Sequence, residues 1–260
     1  MEGKVIHTLP QVKETLLQKQ STEYFTYRYS YFRAKETQEL NETGQDFLAF
    51  QVSGNRFIFV LCDGVGMSFH GEIAAEFLGT KLLELFEAYL DKKQDFSTIL
   101  DKSLQEWKKE AIEKVEAFRL PQDTPWLLRD VLEEKRNHGS ESMFIGGTIE
   151  VIPNRNEVNI MVVAHGDSFL HLFQEDKKYL DLIEYERNTE NRWSTHRGIL
   201  GGELKVISKT LARKEANRLV IHSDGLMPLL HYNFEEVTEE IKRAQSSPTS
   251  DDISFLDISW

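Results

Sequence analysis

Hydrophobic and polar residues follow two different periods along this chain. Alternation with a period of two predicts strands up to residue 62 and again from about residue 147, while a period near 3.6 from Gly71 to Val115 predicts two long amphipathic helices between them. Further helices are expected at Trp126 to Lys135 and Glu235 to Ala244, with a short one around Gln11 to Lys19. Strands, then helices, then strands again are typical of an α+β fold rather than an alternating βαβ fold.

Several apolar or alternating segments have the composition of strands. They are Tyr24 to Phe32, Asp46 to Val52, Arg56 to Cys62, Gly147 to Ile152, Val158 to Ala164, Phe169 to Phe173, Leu219 to His222 and Ile253 to Ile258. Short connections such as Ser53-Gly54-Asn55 indicate antiparallel pairing of neighbours. Lys35 to Thr43 is predicted to be a loop, and Tyr179 to Leu211 is predicted to contain an exposed flap.

Acidic residues stand at the ends of four apolar runs. Asp63 follows the most hydrophobic run, Asp167 and Asp224 follow two later ones, and Asp251 precedes the last. Carboxylates that meet at one place repel one another unless cations lie between them. We therefore expect a hard divalent metal, Mg²⁺ or Mn²⁺, bound through oxygen ligands.

Composition limits the class of protein. With 260 residues, of which 40% are hydrophobic, the chain suits one globular domain, predicted at 23–260, preceded by a peripheral segment at 1–22. No run approaches the roughly 20 apolar residues of a membrane helix. A net charge of -12 argues against nucleic acid as a partner. A single cysteine, Cys62, and the lack of a signal-peptide core in the first residues favour a soluble, cytoplasmic protein without partners in a membrane.

Several known types of phosphoester chemistry can be excluded, because the chain lacks the residues that they require. A cysteine phosphatase needs an arginine six residues after its nucleophile, where Cys62 is followed by Ser68, so Cys62 is expected to be a core residue. The D-x-D-x-T block of aspartate-nucleophile phosphatases and the P-loop are absent. The histidines form no zinc-type cluster, and His222 is expected to be a buried core residue. No nucleophile elbow surrounds Ser168 or Ser223.

Six short blocks occur in the order found in one known family. The chain resembles the metal-dependent type 2C serine/threonine protein phosphatases in their compact bacterial form, over about Gly44 to Ile258. The blocks are Gly44-Gln45-Asp46, Asp63-Gly64-Val65-Gly66 with Gly71-Glu72-Ile73-Ala74-Ala75, Gly146-Gly147-Thr148, Gly166-Asp167-Ser168, Ser223-Asp224-Gly225-Leu226 and Asp251-Asp252-Ile253-Ser254.

The resemblance implies a four-layer α-β-β-α sandwich of two antiparallel sheets flanked by helices, with two Mg²⁺ or Mn²⁺ ions between the sheets. In this sequence Asp63 would bridge both ions, and Gly64 would offer its carbonyl oxygen to one of them. Asp224 and Asp251 would hold the other ion, and Asp167 would bind a possible third. Asp46 would lie behind the ions and help order their water, which would attack phosphorus without a phosphoenzyme.

The sequence departs from the family pattern near the substrate. The arginine that usually precedes the first block is missing from Asn41-Glu42-Thr43, and we expect Arg33 or Arg28 to replace it in binding the substrate phosphate. The position before the aspartate of the first block, usually Glu or Gln in the family, is the neutral Gln45 here. Phe169 stands where the family usually has arginine.

Three functions stay open at this point. The resemblance implies a phosphatase that removes phosphate from phosphoserine or phosphothreonine in a protein, acts as a monomer and opposes a serine/threonine kinase. The alternatives are a catalytically weak, phosphatase-like regulatory module that binds a phosphoprotein partner, and a phosphatase for a small phosphorylated metabolite.

Overall fold

The computed structural model of this chain describes residues 4–89, 95–174, 177–179, 187–229 and 231–260. Its strands are β1 (Val5–Thr8), β2 (Thr15–Ser21), β3 (Thr26–Phe32), β4 (Phe47–Ser53), β5 (Arg56–Gly64), β6 (Glu141–Ile152), β7 (Glu157–His165), β8 (Phe169–Gln174), β9 (Lys177–Tyr179), β10 (Arg192–Ser194), β11 (Gly198–Leu200), β12 (Lys205–Ala212), β13 (Arg218–His222) and β14 (Ile253–Ser259). Its helices are α1 (Lys35–Glu39), α2 (Gly71–Tyr89), α3 (Phe96–Glu106), α4 (Lys108–Ala117), α5 (Trp126–His138) and α6 (Phe234–Ser246).

The strands form two antiparallel sheets. In sheet I the order is β1-β4-β5-β6, after which β6 pairs both with β7, which carries β12, and with β10, which carries β11. In sheet II the order is β2-β3-β14-β13-β8-β9. The predicted hairpin at Ser53-Gly54-Asn55 joins β4 to β5, and the pairs extend from Phe47 with Cys62 to Ser53 with Arg56.

Three hydrophobic layers hold the sheets and helices together. The first lies between the sheets, the second between the outer face of sheet I and helices α2, α3 and α4, and the third between sheet II and α6. Strand β5 is hydrophobic without interruption because both of its faces are buried. Phe57, Phe59 and Leu61 face the other sheet, while Ile58 and Cys62 face the helices. The predicted four-layer α-β-β-α sandwich of the α+β class is therefore confirmed.

Three local predictions are wrong. The segment Gln11 to Lys19 is not helical, because its second half belongs to β2, which pairs with β3 at the edge of sheet II. The predicted loop Lys35 to Thr43 begins with the short helix α1. The second amphipathic stripe forms two helices rather than one. They are separated at Trp107, where the indole of Trp193 donates a 3.1 Å hydrogen bond to the carbonyl of Leu104 and occupies an acceptor at the end of α3.

Part of the predicted flap belongs to sheet I. Residues 180–186 lie outside the described ranges, but β12 pairs with β7 along its whole length, from Lys205 with Ala164 to Ala212 with Glu157. Strand β10 pairs with the start of β6 through Trp193 and Ser194. At the other end of the chain, β1 and β2 add one edge strand to each sheet, and the boundary at residue 22 stays a prediction. None of the helices in the described ranges is long and apolar enough to cross a bilayer.

Candidate metal centre

The acidic strand ends all lie at one end of the sandwich. In sheet I, the end of β5 at Asp63 pairs with the start of β6, and Asp46 precedes the start of β4. In sheet II, the end of β13 pairs with the starts of β8 and β14, so that Asp167, Asp224 and Asp251 lie in the adjoining connections. Antiparallel register therefore brings together carboxylates that are far apart in sequence, as predicted.

Asp63, Asp167 and Asp224 form the core of this site. One carboxylate oxygen from each lies within 4.8 Å of the others, and no other described His, Cys, Asp or Glu residues form such a group of three. Asp63 is partly buried, Asp167 is 9% exposed and Asp224 is exposed to solvent. The group is thus open on one side, as a site that admits a substrate must be.

The neighbours Asp251 and Asp252 have different surroundings. Asp252 is buried and accepts backbone hydrogen bonds from Ala34 at 2.6 Å, from Asp46 at 3.2 Å and from Gln45. Asp251 is exposed and does not join the group of three, although its negative charge raises the pKa of Asp224. The sequence predicted Asp251 beside Asp224 and a weaker role for Asp167, whereas the structure places Asp167 within the core group.

The Asp224 and Asp251 connections are fastened to each other. The Ser223 hydroxyl donates to the Asp252 carbonyl at 3.1 Å and accepts from the Ser254 backbone N–H at 2.9 Å. A side chain at Gly225 would place its Cβ 2.1 Å from the Asp252 carbonyl oxygen. Glycine is therefore required there for close approach of two backbones, and that approach fixes the position of Asp224.

Gly64 has the same function on the other side of the site. A Cβ on Gly64 would lie 2.6 Å from the Gly71 carbonyl carbon and 2.7 Å from the Gln45 carbonyl oxygen. A Cβ on Gly71 would in turn lie 2.7 Å from Gly64. Because neither residue carries a side chain, the start of α2 packs directly on the chain that follows Asp63.

Burial and mutual repulsion disfavour ionisation of the acids. Burial, followed by the negative charges of neighbouring acids, raises the pKa of Asp46 and Asp63 well above the ordinary value. The same causes raise the pKa of Asp224 to about 6. Burial also raises the pKa of Asp167. Such a site gains a great deal from a bound dication, because the cation removes the repulsion and replaces the protons.

The donor set fits a hard divalent cation. Oδ2 of Asp46 and Oδ1 of Asp167 are buried and have no hydrogen-bond donor, although buried carboxylate oxygens are usually satisfied. All side-chain donors of the core group are carboxylate oxygens, which suits Mg²⁺ or Mn²⁺ and does not suit a softer metal. Gly64 directly follows Asp63 at the end of β5.

The two arginines predicted to bind the substrate phosphate have other partners. Arg33 lies at the site end of sheet II, but it is 7% exposed and donates to the Glu14 carboxylate at 2.8 Å and to the Glu42 carbonyl at 2.8 Å. Arg28 pairs with Asp257 far along β14. At about 3.3 Å per residue, Asp257 is roughly 20 Å from Asp251, so the structure does not bring Arg28 to the acids.

Arg187 is the cation that the sequence did not single out. Its Nη1 donates to the main-chain carbonyl of Asp167 at 3.2 Å, and its guanidinium lies 3.6 Å from the centroid of the Phe169 ring. Arg187 is exposed, and among the described residues no carboxylate pairs with it. The sequence held no signal for this contact, because Arg187 and Asp167 are 20 residues apart and meet only in the folded chain.

The residues predicted to be structural are buried. Cys62 and His222 are completely inaccessible to solvent, and His222 hydrogen-bonds through Nε2 to the Tyr232 hydroxyl at 2.8 Å. Ser168 and Ser223 are also buried, with at most 1% exposure, which removes them as nucleophiles. The thiol of Cys62 has its pKa raised by burial, so it is a poor nucleophile as well.

Comparisons with known proteins agree with this geometry. A family model described as "Protein phosphatase 2C" matches residues 35–253. No curated protein sequence matches the chain. Among solved structures, serine/threonine phosphatase Stp1 from Staphylococcus aureus superposes with a TM-score of 0.54 at 14% identity, over 95% of this chain and 96% of that one. A phosphatase from Toxoplasma gondii superposes with a TM-score of 0.56 at 12% identity, over 99% of this chain and 96% of that one.

Proposed function

Because the chain belongs to the protein phosphatase 2C family, we propose that it is a metal-dependent phosphatase that hydrolyses phosphoserine and phosphothreonine in proteins. The observation that carries this proposal is the convergence of Asp63, Asp167 and Asp224, whose carboxylate oxygens meet at the open end of the sandwich. A protein without a cation at this position would gain nothing from holding three repelling carboxylates together.

In this proposal the chain supplies an oxygen cage. Asp63, Gly64 and Asp224 would hold a pair of Mg²⁺ or Mn²⁺ ions together with Asp251, and Asp167 would bind next to them or hold a third ion. When bound, the ions would supply an activated water and neutralise charge on the transferred phosphoryl group. Asp46, with its unsatisfied Oδ2, would accept a proton or hydrogen bond from water at the inner wall of the site.

Arg187 is our candidate for the phosphate contact. Its position is set by the Phe169 ring and the Asp167 carbonyl, and its remaining N–H groups have no acceptor among the described residues. Guanidinium groups bind phosphate with two parallel hydrogen bonds, which orients the group as well as attracting it. Phe169 occupies the position where the family usually has arginine, so stacking on it would return a guanidinium to the same neighbourhood.

A second candidate function follows from the engagement of Arg33. If no cation binds the substrate phosphate, the chain would be a catalytically weak module that binds a phosphoprotein partner. The tight contacts of Arg33 with Glu14 and Glu42 favour this alternative. The unsatisfied oxygens of Asp46 and Asp167 favour the enzyme, because a binding module has no use for them.

The setting of the enzyme follows from the same chemistry. A protein phosphatase acts on a phosphoprotein made by an opposing serine/threonine kinase, and we place both in the cytoplasm. We propose that the enzyme acts as a monomer. A small phosphorylated metabolite as substrate is the outcome to expect if aryl phosphates are hydrolysed and phosphopeptides are not.

Hydrolysis of an aryl phosphate and of a phosphothreonine peptide tests the proposal. We expect turnover with Mn²⁺, none with excess chelator, and a loss of at least about a hundredfold in Asp63→Asn and Asp224→Asn. Asp101→Asn, on an exposed face of α3, is the matched control and should keep full activity. Turnover that survives chelation would overturn the metal mechanism, and phosphopeptide binding without turnover in any metal would favour the regulatory module.

A further inference from the structure

A polar cavity separate from the metal centre lies on the outer face of sheet II, beyond the N-terminal end of α6. It has a volume of about 580 Å³, and its walls include Lys19, Arg28, Arg218 and Asp257. The register places it at the opposite end of the sheet from the metal centre, because Arg218 pairs with Ser259 whereas His222 pairs with Phe255. This cavity therefore shares no wall residue with the acids of the metal centre.

The cavity has an excess of positive charge on a protein whose net charge is -12. Arg28 and Arg218 are each 12% exposed in their side chains and share one carboxylate, that of Asp257, which is 3% exposed. Lys19 stands beside Arg28 in the β2–β3 register, is exposed, and has no side-chain partner among the described residues. Three cationic groups thus face one anion, and the imbalance attracts a further anion.

The arginines also have unused hydrogen-bond donors. Arg28 donates through Nε to Asp257 at 2.7 Å and through Nη2 to Asp257 and the Tyr232 carbonyl, which leaves Nη1 without an acceptor among the described residues. Arg218 donates from Nε to Asp257 at 2.8 Å and from Nη1 to the His231 carbonyl at 3.1 Å. Its Nη2 donates to the Tyr232 carbonyl at 2.7 Å and to Asp257 at 3.0 Å, which leaves one N–H of Nη1 without an acceptor among the described residues. The shared carboxylate fixes both guanidinium planes, so the free donors are oriented before any ligand arrives.

The size and walls of the cavity indicate the class of ligand. A bare oxyanion would fill only a small part of about 580 Å³, and the rim carries two exposed rings, those of His231 and Phe234, the latter 50% exposed. Guanidinium and ammonium groups suit a phosphate, and the rings suit an apolar or planar group attached to it. We propose that this cavity binds a small phosphorylated organic molecule, and that Tyr232 transmits its occupancy to His222 beside Asp224.

Tyr232 joins the cavity to the metal centre. Its carbonyl accepts hydrogen bonds from both cavity arginines, while its hydroxyl bonds to Nε2 of His222 at 2.8 Å. His222 is the last residue of β13, two positions before Asp224. Tyr232 also has a left-handed backbone, with φ of 51°, which is unusual for a bulky residue and shows that its surroundings dictate its conformation. A ligand that competes with the Tyr232 carbonyl for the arginine N–H groups would therefore weaken these contacts and change the Tyr232 hydrogen bond to His222.

Binding is tested on the metal-free protein, where the metal centre takes no part. With excess chelator, we expect saturable binding of phenyl phosphate by calorimetry, tighter than binding of inorganic phosphate because of the ring. Lys19→Glu should weaken binding about tenfold or more, since it removes one charge-assisted contact and adds repulsion. Lys205→Glu, an exposed lysine of β12 in the other sheet, is the matched control. Phe234→Ala should remove the advantage of phenyl over inorganic phosphate.

The outcomes separate this site from the catalytic proposal. Absence of saturable binding, or equal weakening by both lysine variants, would overturn the site even if the protein is an active phosphatase. The link is tested by the histidine ring signals in NMR: phenyl phosphate should shift those of His222, and the shift should vanish in Tyr232→Phe. Binding that leaves the His222 signals unmoved would overturn the role of Tyr232. None of these readouts requires turnover.

Discussion

Replacing Asp63 by asparagine tests the electrostatic basis of the metal centre. In the absence of metal, Asp63 is partly buried and faces Asp167 and Asp224 within 4.8 Å. Burial and these charges raise its pKa well above the ordinary value, so the folded protein holds this carboxylate at a cost. Asparagine keeps the shape and removes the charge. We therefore expect Asp63→Asn to be more stable than the wild type when metal is withheld.

The magnitude follows from the separation of the charges. Two unit charges 4.8 Å apart repel by about 3.5 kcal/mol at an effective dielectric constant of 20. The carboxylate can also escape this repulsion by taking up a proton. Protonation therefore limits the penalty to about 4 kcal/mol, which is the cost of protonating at pH 7 a carboxyl whose ordinary pKa is 3.8. Solvent at the exposed Asp224 screens the interaction further. We therefore expect the free energy of unfolding of metal-free Asp63→Asn to exceed that of the wild type by about 2 kcal/mol, which corresponds to about 4–8 °C in Tm for a chain of this length.

Thermal unfolding with chelator and with Mn²⁺ measures both sides of this reasoning. Mn²⁺ at about a hundred times its Kd should stabilise the wild type by about 2.7 kcal/mol and leave Asp63→Asn almost unchanged. Asp252→Asn should behave oppositely and lose about 1–3 kcal/mol, because asparagine cannot accept all the backbone hydrogen bonds of Asp252. Equal stabilisation of both proteins by Mn²⁺, or a metal-free Asp63→Asn no more stable than wild type, would refute the proposed centre.

Three further outcomes are expected. The pKa of Asp224 in the folded protein is raised to about 6, so its contribution to stability is fully present below about pH 4 and is lost as the pH rises through 6. The Tm of the metal-free wild type should therefore fall over this range relative to that of Asp224→Asn. Mn²⁺ should suppress this fall. Gly64→Ala should lose about 1–3 kcal/mol in denaturant unfolding because its Cβ meets backbone, whereas Gly66→Ala meets only the Gln45 side chain at 3.2 Å and should be tolerated. Arg187→Gln should lower kcat/KM for an aryl phosphate about 10–100-fold, while the exposed Arg155→Gln should not, and unchanged kinetics would remove Arg187 from the site.

The layers of the fold could be predicted from the sequence because each leaves a periodic pattern. The unbroken run in β5 indicated burial on both faces, and the stripe from Ala74 to Tyr89 indicated a helix on the sheet. The break between α3 and α4 could not be predicted, since it depends on the Trp193 indole reaching the Leu104 carbonyl from a distant strand. The polar edge strand β2 was mistaken for a helix because its side chains are mostly exposed and carry little periodic signal.

The position of the candidate site could be predicted from the pattern of apolar runs and acids, but the contacts of the nearby arginines could not. Acids at strand ends can meet when those ends lie at the same edge of the sandwich, and Asp63, Asp167 and Asp224 do meet. Arginines are long and take whichever carboxylate or carbonyl lies within reach. Arg33 is held by Glu14, and Arg28 by Asp257. Neither partner could be identified before the register of sheet II was known.

Adjacent acids at the start of β14 show how the fold separates structural from chemical carboxylates. Asp252 uses its oxygens to accept three backbone N–H groups, so it fastens the segment before β4 to sheet II and has little capacity left for a metal. Asp251, Asp63 and Asp167 lack such a set of donors, and Oδ1 of Asp167 has none at all. A buried carboxylate that the protein leaves unsatisfied raises the energy of the folded state unless a ligand completes it. The same fold that satisfies Asp252 therefore leaves carboxylate oxygens of its neighbours without donors, which is the physical ground for proposing a cation site at this end of the sandwich.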